Sequence, residues 1–123
     1  MNYGNKTVLF VCPHGAGKSR MAAAWFNGAG LPNWSATTAG IEPQTEVSAH
    51  AGRLLAGTPV EALLDQALPR PISAVPQADL VVAIDCENPL EGAVAWRLVH
   101  SEFDDAMCAE IRDRVTELVA TLR

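Results

Sequence analysis

The chain has 123 residues, a formal net charge of −5 and a pI near 5.0, enough for one domain (1–123) with a core of a few strands and covering helices. Nothing in it resembles a basic stripe, which excludes nucleic acid as a bulk partner. Its longest apolar run is far shorter than a bilayer, and no charged, apolar, small-residue leader opens it, so a cytoplasmic protein with no membrane contact is expected.

In chain order, residues 7–11 are apolar and β-branched, as a strand covered on both faces should be. From Ser19, residues Met21, Ala22, Trp25 and Phe26 recur with helical spacing until Gly28, Gly30 and Pro32 stop them. Residues 34–39 read as a second strand, ended by Gly40 and Pro43. Residues 48–56 predict a helix closed by Gly57, with His50 and Arg53 on its wetter side. A short helix is expected over 61–68, followed by a loop punctuated by Pro69, Pro71 and Pro76. Residues 79–84 form another buried strand and 94–99 a fourth. Residues 104–122 make a long amphipathic helix with Ile111, Val115, Leu118, Val119 and Leu122 toward the core.

Alternating strands and helices imply a parallel sheet with helices on both faces, and ligands in such sheets sit beyond the carboxyl ends of the strands. Cys12, Asp85 and the residues after Val99 all fall at that rim. Cys12, Cys86 and Cys108 make no disulfide framework, and His14, His50 and His100 lack the spacing of a metal site. One functional thiol, two buried bystanders, no metal and no cofactor are expected.

The most informative segment is Cys12-Pro13-His14-Gly15-Ala16-Gly17-Lys18-Ser19, a short loop between the first strand and the first helix. Backbone N–H groups, a helix N-terminus and an ammonium there converge on one small volume, which suits an oxyanion such as phosphate, sulfate or arsenate. Gly17-Lys18-Ser19 fits the end of a nucleotide P-loop, but Cys12 occupies the place of that pattern's first glycine. The spacing Cys12, five residues, cation, Ser19 fits a cysteine-phosphatase signature with lysine in place of arginine. Cations and a helix N-terminus lower the pKa of a thiol below the free value of about 8.5, so Cys12 is the candidate nucleophile.

Loop and flanks resemble the low-molecular-weight protein tyrosine phosphatase family, which also contains thiol-dependent arsenate reductases. The matching pieces are VLFVC (8–12), KSRMAAAWFN (18–27), TTAGIEP (37–43), ADLVVAID (78–85) and CAEIRDRVTELVATLR (108–123), in family order. The resemblance implies a single flavodoxin-like three-layer α/β domain with a four-stranded parallel sheet. It also implies hydrolysis of phosphate monoesters, of a phosphorylated small molecule or of protein phosphotyrosine, through a cysteinyl-phosphate intermediate.

On that resemblance Cys12 attacks, Lys18 and the amides of residues 13–18 hold the oxygens, and Ser19 donates to the sulfur; a Ser19 helix cap is compatible with this. Three departures bear on activity. Lys18 lacks the bidentate fork of arginine. His14 and Gly15 replace a Gly-Asn pair whose asparagine buttresses the loop, and Arg20 lies at another helical azimuth from Lys18. No Asp-Pro acid follows Trp96; counting from it puts His100 at the acid position, with Glu102 and Asp104 as substitutes. Asp104 equally suits the start of the last helix. For substrate walls the chain offers Phe103 and Trp34, and its single tyrosine is Tyr3. With Cys86 lacking a neighbouring cysteine, arsenate reduction through an external small thiol is the alternative reaction, and a weakened oxyanion-binding member is the third reading.

Overall fold

The computed structural model of the protein describes every residue except 1–5, 47, 76, 88, 89 and 101, so the expectations attached to Tyr3 and Pro76 lie outside the described residues. Strands β1 (Lys6–Cys12), β2 (Trp34–Gly40), β3 (Leu80–Ile84) and β4 (Val94–Trp96) form one parallel sheet in the order β2-β1-β3-β4. Helices α1 (Lys18–Gly28), α2 (Ala49–Leu55) and α3 (Asp105–Leu122) complete a flavodoxin-like α/β fold. The strand order reverses between β1 and β3, and Cys12 ends β1 at that switch point, where doubly wound sheets bind ligands.

β1 is central because it is apolar on both faces. Val8, Phe10 and Cys12 face a core shared with α1, α2 and α3, while Leu9 and Val11 face a second cluster with Ala39, Ala83 and Cys86. Phe10 is the hub of the first core, its ring 6.1 Å from Phe26 and 5.8 Å from Trp96. The expected helices on both faces differ in kind. All three α-helices contribute to the first core, and the second is covered by a 3-10 turn at Ile72–Ala74 and by Val75, Ala78, Leu90 and Ala93. The proline-rich connection into β3 and the short one out of it leave no room for a longer helix there.

Two elements are shorter than their sequence pattern. The segment 61–68 is helical only as a 3-10 turn at Glu61–Leu63, because the Asp65 carboxylate accepts from the Ala67 N–H (2.8 Å) and closes a local turn. β4 stops at Trp96 because carboxylates take the next donors: Asp85 accepts from Leu98 N–H and Glu110 from Val99 and His100 N–H, all at 2.8–2.9 Å. Asp104 is the N-cap of α3, accepting from Met107 N–H at 2.9 Å.

The end of β2 presses directly on the loop after β1. Gly40 pairs with Cys12 in register, and a Cβ on Gly40 would lie 2.6 Å from both Gly15 N and His14 C. Gly40→Ala is therefore expected to lower stability by about 1–3 kcal/mol in chemical denaturation and to weaken phosphate binding by calorimetry. Unchanged phosphate affinity would show that the contact does not shape the loop.

Candidate active site

The loop between β1 and α1 is built by turning its carbonyls outward. The carbonyl oxygens of Cys12, Pro13, His14 and Ala16 accept from the N–H groups of Ile41 (3.2 Å), Glu42 (2.8 Å), Gln44 (3.1 Å) and Ser48 (3.0 Å), and Gly15 O accepts from Arg20 Nε (2.8 Å). In a trans peptide the N–H points opposite to its C=O, so the amides of His14, Gly15, Ala16 and Gly17 turn inward. Gly15 N–H has this direction, donating to Cys12 Sγ at 3.2 Å. Gly15 sits at φ +63°, and a Cβ there would meet Gly40 N at 2.7 Å, so a glycine is needed on both counts.

Cys12 lies at the base of this bowl, 3% exposed, with Ser19 Oγ 3.2 Å from its sulfur. α1 starts at the N-cap Gly17 without a side-chain cap bond, and the Cys12 thiol donates to Ser19 Oγ. Above them is a cavity of about 420 Å³ bounded by Pro13, His14, Ala16, Gly17, Lys18, Gln44, Ser48, His50 and Phe103. Phe103 closes one side: its ring would be 2.8 Å from a Cβ on Gly17, and it stacks on His50 with centroids 4.9 Å apart and planes 19° from parallel. Arg53 ties this wall together, donating to Phe103 O and to His50 Nδ1 at 3.1 Å each.

Lys18 borders the cavity, but its ammonium is already bonded to Asp85 Oδ2 at 2.8 Å. Asp85, at φ +51°, is fixed in turn by its Oδ1 on Leu98 N–H. The loop's own cation is thus already paired with a carboxylate. Arg20 lies behind the loop, 0% exposed, and reaches it through Gly15 O.

The candidate acids read from the sequence lie elsewhere. His100 is exposed on a groove with Glu110, Asp113 and Arg114, its N–H on Glu110, because the carboxylate of α3 draws the chain there. Asp104 is held by its capping bond, and neither it, Glu102 nor His100 lines the Cys12 cavity. Trp34 lies at the opposite end of the sheet, against Phe26 and Lys6. The sequence reading put His50 on the wet side of α2 and missed that the cavity is there; its only sequence signal is a helix start six residues after Pro43.

Cys86 and Cys108 are buried. Burial pushes both thiols above the usual cysteine range, and at Cys86 the proximity of Cys12 adds to it. Cys86 borders a second cavity of about 490 Å³ that shares Pro13 and His14 with the first. Among the described residues no cluster of His, Cys, Asp and Glu could hold a metal, and no helix is long and apolar enough to cross a membrane.

No family model and no curated protein sequence matches the chain. Among solved structures, an arsenate reductase from Archaeoglobus fulgidus aligns at 30% identity over 92% of this chain and 98% of its own, with a TM-score of 0.71. The chain belongs to the low-molecular-weight protein tyrosine phosphatase and arsenate reductase family. The same family fold is seen in a low-molecular-weight protein tyrosine phosphatase from T. tengcongensis (21% identity, 94% and 99% covered, TM-score 0.68). It is seen again in an arginine phosphatase from Geobacillus stearothermophilus (20% identity, 95% and 92% covered, TM-score 0.68).

The Lys18–Asp85 pair gives a direct prediction. Asp85→Asn keeps the Leu98 bond and tolerates the positive φ, yet removes the charge that neutralises Lys18. Phosphate binding by calorimetry should tighten by about three- to tenfold, as one partly buried charge a few ångströms away would produce. Weaker or unchanged binding would mean that Lys18 does not act on the bound anion.

Proposed function

We propose that this family member is a phosphatase-like enzyme that hydrolyses phosphate monoesters through a cysteinyl-phosphate intermediate. The observation that carries the reading is the Cys12 sulfur at the base of the cavity, with Gly15 N–H and Ser19 Oγ both 3.2 Å away inside a ring of inward amides. The amides and Lys18 would hold the nonbridging oxygens, where charge builds in the transition state. The stacked His50–Phe103 wall suits a flat leaving group on a phosphorylated small molecule or protein.

His14 is the proton donor in this reading. Its Nδ1 is 3.3 Å from Glu42 O, and a carbonyl only accepts, so Nδ1 carries a proton and Nε2 can carry another. His50 is less suited: its Nδ1 accepts from Arg53, which only donates, so that nitrogen has no proton to give. Cys12 attacks phosphorus and the S–P bond forms as the P–O bond breaks, with the His14 proton going to the leaving oxygen. Water then attacks phosphorus, gives its proton to His14, and the phosphate leaves the sulfur.

A second reading is arsenate reduction, favoured by the name of the Archaeoglobus relative and by a cavity beside the loop that an external thiol can enter. Cys12 would displace hydroxide from arsenate; a small thiol would then attack the sulfur, forming a disulfide while the S–As electron pair leaves with arsenite.

Hydrolysis of two aryl phosphates tests the first reading. Cys12→Ser should abolish turnover, and His14→Gln should slow phenyl phosphate by about a hundredfold but 4-nitrophenyl phosphate much less, since only the poorer leaving group needs the proton. No hydrolysis by the parent, with arsenate-dependent consumption of thiol, would replace it with the second reading.

A further inference from the structure

Arg20 has a role that the family pattern does not assign. It lies on α1 two residues beyond Lys18 and is 0% exposed. A guanidinium inside a protein is costly unless its donors are bonded and its charge is balanced. Arg20 Nε donates to Gly15 O (2.8 Å) and Nη1 to the main-chain oxygen of Asp65 (2.6 Å), while buried Nη2 has no acceptor among the described residues. The balance of charge is also incomplete. The Asp65 carboxylate is 3.8 Å from Arg20 and 2.9 Å from Arg70, so two guanidinium groups share one anion.

Cys12 is linked to Arg20 through one residue of the hydrogen-bonded loop. Gly15 connects the two groups: its carbonyl is held by Arg20 and its N–H points at Cys12 Sγ. Lys18 supplies little of the required charge because Asp85 is bonded to it at 2.8 Å. We propose that Arg20 is a positioning residue whose buried charge keeps Cys12 as a thiolate, while its Nε–H sets the loop by holding the Gly15 carbonyl outward. This rests on the reading of Cys12 as the nucleophile. Burial is the largest influence on the Arg20 pKa and lowers it, Asp65 raises it, Arg70 lowers it, and Cys12 raises it least of the four.

The test is the rate of Cys12 carboxamidomethylation by iodoacetamide at pH 6, followed by mass spectrometry of the Cys12 peptide. Arg20→Met should slow it by about tenfold, and Arg20→Lys should restore most of the rate while still lowering the melting temperature. Asp65→Asn guards against misfolding of the Arg20 variants. It leaves the main-chain bond to Arg20 intact and lets the amide oxygen keep the Ala67 N–H, while the shared negative charge goes together with the hydrogen bond to Arg70 Nη2. Burial would raise the Asp65 pKa, but the Ala67 N–H, Arg70 and Arg20 bring it below the usual carboxylate range, so the charge is present at pH 6.

Asp65→Asn should therefore speed alkylation by about threefold. A purely structural brace predicts no acceleration, or equal effects of methionine and lysine at position 20; either result overturns the proposal. Aryl phosphate turnover by the parent is scored separately. A parent that hydrolyses normally while Asp65→Asn leaves alkylation unchanged defeats the role of Arg20 and leaves the phosphatase reading standing. A parent that hydrolyses nothing but follows the predicted alkylation order does the reverse.

Discussion

Five successive carbonyls, from Cys12 to Ala16, are bonded on the outside of the loop, and this anchoring forces the amides behind them to face inward. The site depends on that constraint. Four of the five partners are main-chain N–H groups of residues 41–48, the stretch that follows β2, and the fifth is the Arg20 side chain. Parallel pairing of β1 with β2 brings Gly40 beside Cys12 and delivers this stretch to the loop in register. The sheet therefore does more than carry the cysteine to a rim; it supplies the frame for all of these amides but that of Ala16, which the Arg20 bond to Gly15 O orients.

Charge in the site is arranged differently from the plain pattern of a cation facing an anion. The ammonium at the mouth is paired with Asp85, and an unbalanced guanidinium lies behind the loop. A cation behind the loop can favour the thiolate without competing for substrate oxygens. A paired lysine in front can still bind an oxyanion, with part of its field cancelled. The arrangement suits formation of the nucleophile better than tight capture of the substrate.

The parts of the fold governed by periodicity were legible in the sequence: the double-sided β1, the buried β3 and the apolar stripe of α3 follow from residue pattern alone. The loop was legible too, because its chemistry depends on consecutive residues. Contacts that close over long separations were not. Leu98, Val99 and His100 continue an extended pattern, but distant Asp85 and Glu110 carboxylates take their N–H groups and end the strand. For the same reason the residue found by counting from Trp96, His100, lies beside Glu110 and not along the Cys12 cavity. Arg20 and His50 were hidden because a charged or polar residue on a helix ordinarily faces water; only the tertiary fold makes one the brace of a loop and the other the wall of a cavity.

The central claim is that a tetrahedral anion occupies the bowl directly over the Cys12 sulfur. Protection of Cys12 from alkylation by inorganic phosphate and by arsenate tests it most directly, since it needs neither turnover nor a known substrate. The account predicts saturable protection by both anions, with chloride at matched ionic strength giving none. Alkylation of Cys12 that proceeds at the same rate in saturating phosphate and arsenate would contradict it.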